Sequence, residues 1–81
     1  MTYTIQLFAL LRERTGAATW SLESDRNLSA GDILTAFYDA HPSLSGLRHT
    51  TRMAVNAQFV VDDLEITPDS EIALIPPVSG G

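Results

Sequence analysis

Cysteine and lysine are both absent from the 81 residues of this chain. Without cysteine there is no disulfide and no thiolate metal site, so stability has to come from packing. If a chain without a thiol carries sulfur, it cannot do so as a persulfide, and the candidate attachment point is then the terminal carboxylate of Gly81. Without lysine, the chain cannot accept a copy of itself on a lysine side chain.

Positive charge is scarce, because five arginines are set against ten acidic residues and the net charge is −5. Binding to nucleic acid or to anionic membranes depends on basic residues, so this composition disfavours both and suits a partner with a basic docking face. Long apolar runs are also missing: no stretch approaches transmembrane length, and the start of the chain lacks the basic region of a signal peptide. We therefore expect a cytoplasmic protein.

Alternation of apolar and polar residues with a period of two predicts the first strands. They are expected over Tyr3–Leu10 and Ala18–Glu23, with a helical turn ending at Gly16 between them. The main helix is expected to begin at Ser29, whose hydroxyl can cap free amide groups. It should end near His41, because the proline that follows excludes the helical conformation for the residue before it.

The second half of the sequence predicts an irregular crossing segment over Ser43–Thr51 and then short strands separated by turns. These strands are expected over Met53–Asn56, Gln58–Val61, Leu64–Ile66 and Glu71–Ile75. The last is apolar on both faces, as expected of a central strand. Residues 1–81 make a single domain, and the pattern predicts an α+β fold in which one main helix packs across a mixed sheet of about five strands.

The C-terminus, Pro76-Pro77-Val78-Ser79-Gly80-Gly81, is the most informative segment. Two prolines stiffen its base and end strand pairing, while Gly80 and Gly81 have no Cβ and can enter a narrow slot. Residues 76–81 can extend roughly 20 Å from the body of the domain. The segment predicts a protruding tail that delivers a carboxylate into the active site of another protein. An inert tail of small residues is the alternative.

Three residues are candidate contacts for that other protein. Phe8 falls on the strand face of Thr4 and Gln6, where it would be an exposed apolar anchor, with Ile75 beside it on the neighbouring strand and Arg12 nearby. Large exposed apolar patches mark interaction sites, which favours docking. The alternative is that Phe8 only covers the sheet edge or packs under the following loop.

The sequence contains no catalytic constellation of its own. His41 and His49 have no matching ligand spacing, so we expect structural or solvated side chains and no metal site. Asp62 and Asp63 are adjacent and are expected in a solvated turn. No nucleophile–base pair and no glycine-rich phosphate loop is present.

These features together resemble the small subunit of molybdopterin synthase, a ubiquitin-like β-grasp sulfur carrier. The resemblance covers the whole chain and rests on Phe8–Glu13 after the opening strand, His41-Pro42 after the helix, Val55-Asn56 before the hairpin, and Pro-Pro-Val-Ser-Gly-Gly at the end. Two turns depart from the family pattern: Asn56-Ala57 replaces the frequent Asn-Gly, and Asp69-Ser70 replaces Gly-Asp. Neither touches the tail.

The resemblance implies a specific chemistry and specific partners. An E1-like adenylyltransferase would use ATP to adenylate the Gly81 carboxylate, and a sulfur donor enzyme would convert it to a thiocarboxylate. The large synthase subunit, in a heterotetramer, would then accept the tail, and sulfur would pass to cyclic pyranopterin monophosphate to form molybdopterin. No cofactor would be bound permanently. A ubiquitin-like protein modifier, a sulfur carrier for thiamine or tRNA thiolation, and an interaction module with an inert tail remain alternatives.

Overall fold

Seven strands, two α-helices and one long 3₁₀ helix form the fold in residues 1–77, the part of the chain that the computed structural model describes. The strands are β1 (Thr2–Leu7), β2 (Thr19–Glu23), β3 (Leu28–Ser29), β4 (Arg52–Val55), β5 (Gln58–Phe59), β6 (Glu65–Ile66) and β7 (Ile72–Ile75). The helices are α1 (Ala9–Thr15) and α2 (Ala30–Ala40), and the 3₁₀ helix spans Pro42–Thr50.

Five strands form the main sheet in the order β2-β1-β7-β4-β5. The β1 and β7 strands run parallel, and the other neighbours are antiparallel, so the predicted mixed sheet of about five strands is confirmed. The β7 strand lies in the middle of the sheet, as its apolar sequence predicted. Its two neighbours satisfy its backbone on both sides, which fixes the position at which the chain continues into Pro76.

The core lies between one face of this sheet and α2. Tyr3, Ile5 and Leu7 of β1 are buried at alternate positions, which is the burial pattern of a strand with one face on the core. The helix contributes an apolar stripe that includes Phe37, whose ring meets the Trp20 ring edge-on at 5.3 Å. One main helix packed across the sheet is therefore confirmed.

Both ends of α2 are where the sequence placed them. The Ser29 hydroxyl accepts a hydrogen bond from the Asp32 backbone amide at 3.1 Å, and the Asp32 carboxylate accepts one from the Ser29 amide at 3.0 Å. This reciprocal capping box satisfies two backbone donors at the helix start. The helix ends at Ala40, before His41 and the following proline.

The opening strand is shorter than its alternation predicted. The β1 strand ends at Leu7, and the prediction that it continues to Leu10 is wrong because Ala9 and Leu10 are helical. Ala9 has φ of +48°, a left-handed conformation that ends the extended backbone abruptly. Phe8 is therefore the residue that precedes α1, not a residue within the strand.

A second, two-stranded sheet was not anticipated. It pairs β3 with β6, so the segment expected to extend the main sheet near residue 66 pairs elsewhere. The crossing segment expected to be irregular is the 3₁₀ helix. Within residues 1–77 no helix has both the length and the apolar character needed to cross a membrane.

Candidate functional site

A shallow groove of about 260 Å³ lies on the face of the main sheet that points away from α2. A row of paired residues crosses it: Gln6 pairs with Ala73, Ala73 with Ala54, and Ala54 with Phe59. The two alanines are the smallest side chains of that row, so the middle of the sheet is low and its margins are high. The result is a concave apolar surface next to the end of β7.

Phe8 forms one margin of this groove and is 42% exposed. Its backbone is extended, with φ of −124° and ψ of 158°, and its carbonyl oxygen accepts a hydrogen bond from the Leu11 amide at 3.1 Å. The left-handed Ala9 turns the chain into α1 immediately afterwards. Because the strand stops at this point, the Phe8 ring is left at the margin of the sheet and is not covered by the next element.

Ile75 lines the same groove from the last position of β7 and is half-buried. Alternation along β7 places Ile72 and Leu74 in the core and Ala73 and Ile75 on the groove face. The structure therefore brings Phe8 and Ile75 to one surface, as the sequence predicted.

Arg12 does not line the groove. It is exposed on α1, and its link to Phe8 is a backbone hydrogen bond of 3.4 Å from the Arg12 amide to the Phe8 carbonyl oxygen. Arg12 lies one helical turn from the groove margin. If it contacts a docked partner, as predicted, it would do so at the rim of the interface. Charged side chains at the rim of an interface contribute less binding energy than buried anchors.

An aromatic side chain that the sequence pattern did not single out lies on the opposite margin. Phe59 is 53% exposed, and the Arg52 guanidinium carbon lies 3.9 Å from the centre of its ring. This cation–π contact holds Phe59 beside the groove. Ala54 and Phe59 are direct strand partners, so the register of the hairpin places Phe59 on the groove face. Alternation along a single strand does not give that register.

The hairpin between β4 and β5 closes one end of the groove. Asn56 and Ala57 both have left-handed backbones, with φ of +51° and +70°, as a two-residue type I′ turn requires. The Asn56 amide donates to the Glu71 carbonyl oxygen at 2.8 Å, and the Glu71 amide donates to Asn56 Oδ1 at 3.0 Å. The turn is thereby fixed to the start of β7, which is the opposite end of that strand from Pro76.

The chemistry of the groove is that of a binding surface. Its lining includes one carboxylate, that of Glu71, and no histidine or hydroxyl side chain. Shifted acid–base groups lie elsewhere. The backbone amide of Ser29 lowers the pKa of Asp32, and burial raises the pKa of Tyr38, both on α2. The groove can bury apolar side chains of a partner, but its lining contains no nucleophile.

His41 and Asp62, two of the residues considered as metal or acid–base candidates, contact neighbouring groups of the fold. His41 Nδ1 lies 2.8 Å from the Phe37 carbonyl oxygen, and its ring is 4.4 Å from the Phe37 ring. Asp62 and Asp63 lie in a turn, where Asp62 forms an ion pair with Arg48 at 3.7 Å. In the described part of the chain, no three histidine, aspartate or glutamate side chains are grouped closely enough to hold a metal ion.

Two residues of the predicted tail, Pro76 and Pro77, belong to the described part of the chain. Pro76, directly after β7, is buried, and Pro77 is exposed. The predicted insertion and reaction residues Val78, Ser79, Gly80 and Gly81 lie outside the described residues. The structure therefore shows where the chain leaves the sheet, at the end of a central strand and beside the apolar groove.

Known proteins match this chain over almost its whole length. A family model described as the ThiS family matches residues 5–81. The molybdopterin synthase sulfur carrier subunit of Chlamydomonas reinhardtii is 34% identical over 83 aligned positions, which cover 100% of both chains.

Two solved structures show the same architecture. SAMP1 from Haloferax volcanii has a TM-score of 0.83 at 30% identity, with 100% of each chain covered. One chain from a structure titled as the complex of subunits 1 and 2 of the molybdopterin-converting factor of Helicobacter pylori has a TM-score of 0.68 at 16% identity, again covering 100% of each chain. The ubiquitin-like β-grasp fold that the resemblance implied is thus confirmed.

Proposed function

Because this chain belongs to the ThiS family, we propose that it is the sulfur carrier subunit of a molybdopterin synthase. The observation that carries the proposal is the full-length similarity to a protein named as that subunit, at 34% identity. The position of Pro76 and Pro77 supports it, because a central strand leads directly into the stiff base of the tail.

The proposed chemistry takes place at the carboxylate of Gly81. A carboxylate is a poor electrophile because it is negatively charged and resonance-stabilised. Transfer of AMP from ATP to one carboxylate oxygen, with release of pyrophosphate, makes an acyl adenylate with a good leaving group. A persulfide of a donor enzyme then attacks the acyl carbon and AMP departs, which leaves an acyl disulfide. A second thiol attacks the donor's sulfur in that disulfide, so that the two thiols are oxidised to a disulfide and the thiocarboxylate is released.

The acceptor of this sulfur is cyclic pyranopterin monophosphate, held by the large synthase subunit. Two such transfers complete the dithiolene of molybdopterin. In this proposal Pro76 to Gly81 enter the active site of the large subunit, and the narrow backbone of Gly80 and Gly81 lets the end of the tail lie in a tunnel. No cofactor stays bound to the carrier, and ATP is consumed by the activating partner.

The groove is the proposed docking surface for the large subunit and, at a different stage, for the E1-like adenylyltransferase. Phe8, Ile75 and Phe59 supply apolar anchors around a shallow floor, and Arg12 stands at the rim. Apolar and aromatic side chains in a concave centre, with charge at the edge, are the usual anatomy of such an interface. The Helicobacter pylori protein of this fold is in complex with its subunit 2.

A ubiquitin-like protein modifier is the second candidate. It is supported by the TM-score of 0.83 to SAMP1 and by 32% identity to small archaeal modifier protein 1, both from Haloferax volcanii. In that function the activated Gly81 would be attacked by lysine amines of target proteins. Both functions share the adenylation step, so the fate of the acyl group distinguishes them. We place either function in the cytoplasm.

Complementation tests the leading proposal. The chain is expressed in a bacterium that lacks its own molybdopterin synthase small subunit, and the activity of a molybdenum enzyme is measured. We expect activity with the full chain and none after deletion of Gly80 and Gly81. Normal activity after the deletion would contradict the proposal. Rescue of a thiamine auxotroph instead would assign the sulfur to another pathway, and tail-dependent ladders on immunoblots without rescue would favour the modifier.

A further inference from the structure

The outer edge of β2 is the longest strand edge that the fold leaves without a partner in residues 1–77. The β2 strand is the terminal strand of the main sheet and spans five residues, whereas β5 at the opposite edge spans two. Natural proteins protect such edges with proline, lysine or bulges. The sequence of β2, Thr-Trp-Ser-Leu-Glu, contains neither proline nor lysine.

The hydrogen-bond pattern identifies which backbone groups face this free edge. Ser24 exchanges two hydrogen bonds of 2.9 Å with Met1, and Ala18 accepts one of 2.8 Å from Leu7. In an antiparallel pair the bonded positions alternate, so Trp20 and Leu22 also bond to β1. The amide and carbonyl groups of Thr19, Ser21 and Glu23 therefore point outward, at a spacing that an added strand would match.

A cleft of about 350 Å³ lies beside this edge, between β2 and one face of α2. Its apolar base includes Leu22 and Ala36, and its rim includes the carboxylates of Asp32 and Asp39. The Arg26 guanidinium is the one positive group of the lining, and it lies 3.5 Å from the Asp32 carboxylate. The rim thus remains negative next to the free edge.

From this edge and cleft we infer a second interaction surface, which binds an extended segment of a partner protein with basic side chains at alternate positions. The segment pairs its backbone with Thr19, Ser21 and Glu23 and so adds a strand to the sheet. Every second side chain then falls on the α2 side. A lysine or arginine there lays its methylene stem over Leu22 and places its charge near Asp39.

Charge decides between this occupant and a second copy of the chain. Two copies paired through β2 would bring together two acidic clefts on molecules that each have a net charge of −5. A basic segment is attracted by the same groups. The surface is also separate from the groove, because β2 lies at the edge of the sheet and the cleft opens on the opposite face. Both surfaces are therefore accessible at once.

The test uses two synthetic pentapeptides, Val-Arg-Val-Arg-Val and Val-Glu-Val-Glu-Val with blocked ends, titrated into the ¹⁵N-labelled full chain and followed by NMR. We expect saturable shifts at the amides of Thr19, Ser21 and Glu23 with the arginine peptide and none with the glutamate peptide. Shifts centred on Ala54 and Ala73, non-saturating shifts over the whole surface, or no binding at the highest soluble concentration would each overturn the inference.

Two variants examine the edge and the cleft separately. Ser21→Pro removes an outward amide without removing a bond to β1, and it should weaken binding about tenfold, the effect of one lost hydrogen bond. Asp39→Asn should weaken binding about two- to fivefold, as expected for an exposed ion pair. Asp69→Asn, the same change in a distant turn, is the control for net charge. Equal weakening by Asp39→Asn and Asp69→Asn, or β2 shifts that depend on chain concentration without peptide, would contradict the proposed occupant.

Discussion

Phe8 is a large apolar side chain that remains 42% exposed because the strand ends one residue before it. The left-handed backbone of Ala9 makes this possible, since it turns the chain away from the sheet at the point where another strand residue would follow. A residue held in a sparsely populated conformation beside a functional surface is a recurrent feature of binding sites. The side chain is thus placed by local backbone geometry more than by packing.

Phe8→Ala should weaken binding to the large synthase subunit at least about tenfold, because a large aromatic anchor beside the groove is lost. It should lower the free energy of unfolding by less than about 1 kcal/mol, because the ring is partly exposed. Isothermal titration calorimetry measures the affinity, and urea denaturation measures the free energy of unfolding.

Val61→Ala is the matched control for Phe8→Ala. Val61 is 68% exposed and does not line the groove, so its truncation should leave the affinity unchanged. If Phe8→Ala destabilised the fold by several kcal/mol, or left the affinity intact, Phe8 would be a packing residue and the docking proposal would fail.

Ala57 has a left-handed backbone conformation that glycine adopts more easily than alanine. Its φ of +70° costs an alanine roughly 1–2 kcal/mol that glycine does not incur. Replacement by glycine removes this cost, but part of the gain in stability is offset because glycine has greater conformational freedom in the unfolded chain. Ala57→Gly should therefore raise the free energy of unfolding by about 0.5–1 kcal/mol in urea denaturation. Ala17→Gly, at an exposed loop position with negative φ, should lower it, and a gain of the same size there would contradict this account.

At the scale of elements, the two sheets are joined by one buried hydroxyl. Tyr3 of β1 donates to the Ile66 carbonyl oxygen at 2.9 Å and accepts from the Leu28 amide at 3.0 Å. These partners belong to β6 and β3, so one side chain fixes the small sheet against the main sheet. Alternation predicted that Tyr3 faces the core, but no local pattern could show that its hydroxyl meets two residues more than twenty positions away.

Tyr3→Phe should lower the free energy of unfolding by about 1–3 kcal/mol, because a buried amide and a buried carbonyl lose their shared partner. Tyr38→Phe removes a buried hydroxyl of the same kind and is the control. Thr51, its partner, also donates to the Leu47 carbonyl oxygen at 2.7 Å, so Tyr38→Phe should cost less. Equal costs in thermal and urea denaturation would show that Tyr3 does not join the sheets.

The capping box of α2 gives the fold a dependence on acid. The Ser29 amide lowers the pKa of Asp32 below its ordinary value of 3.8, so folding favours the charged carboxylate. In the acid range the unfolded chain binds the proton more readily, and stability rises with pH. The contribution of Asp32 is therefore complete above about pH 5 and is lost as the pH falls through its folded pKa.

Asp32→Asn should lower stability at neutral pH and flatten the loss of stability below about pH 5, so that the two chains converge in strong acid. Urea denaturation at a series of pH values measures the difference. Asp69→Asn removes a carboxylate from a turn without removing a helix cap and should not reproduce the convergence. A constant difference between Asp32→Asn and the original chain at every pH would contradict the argument.

Elements with a regular pattern could be predicted from the sequence, and those set by distant contacts could not. The capped helix after Ser29 and the central β7 strand are correct because capping residues and apolar runs act locally. The β3 strand was missed because two residues offer no period, and its pairing with β6 depends on Tyr3. Phe8 and Ile75 were found by alternation, whereas Phe59 was missed because its place depends on the register across the hairpin.

At the scale of the whole molecule, the proposed function uses the tail and the groove together. The β7 strand is held on both sides, so Pro76 starts from a fixed point, and the groove beside it can bind the protein that receives the tail. The acidic cleft between β2 and α2 opens on the opposite face of the sheet from the groove, at the β2 edge. A carrier with this layout can contact a second protein while its tail is in use.

The intact mass of the purified chain, after incubation with an E1-like adenylyltransferase, ATP and a sulfur source, tests the central claim most directly. We expect a mass gain equal to the replacement of one oxygen by sulfur. That gain should disappear when Gly81 is deleted and should be reduced by Gly81→Ala, because a methyl group hinders entry into a narrow site. No gain with an enzyme that activates a known carrier, or an undiminished gain without Gly81, would contradict the proposal that this chain carries sulfur on its terminal carboxylate.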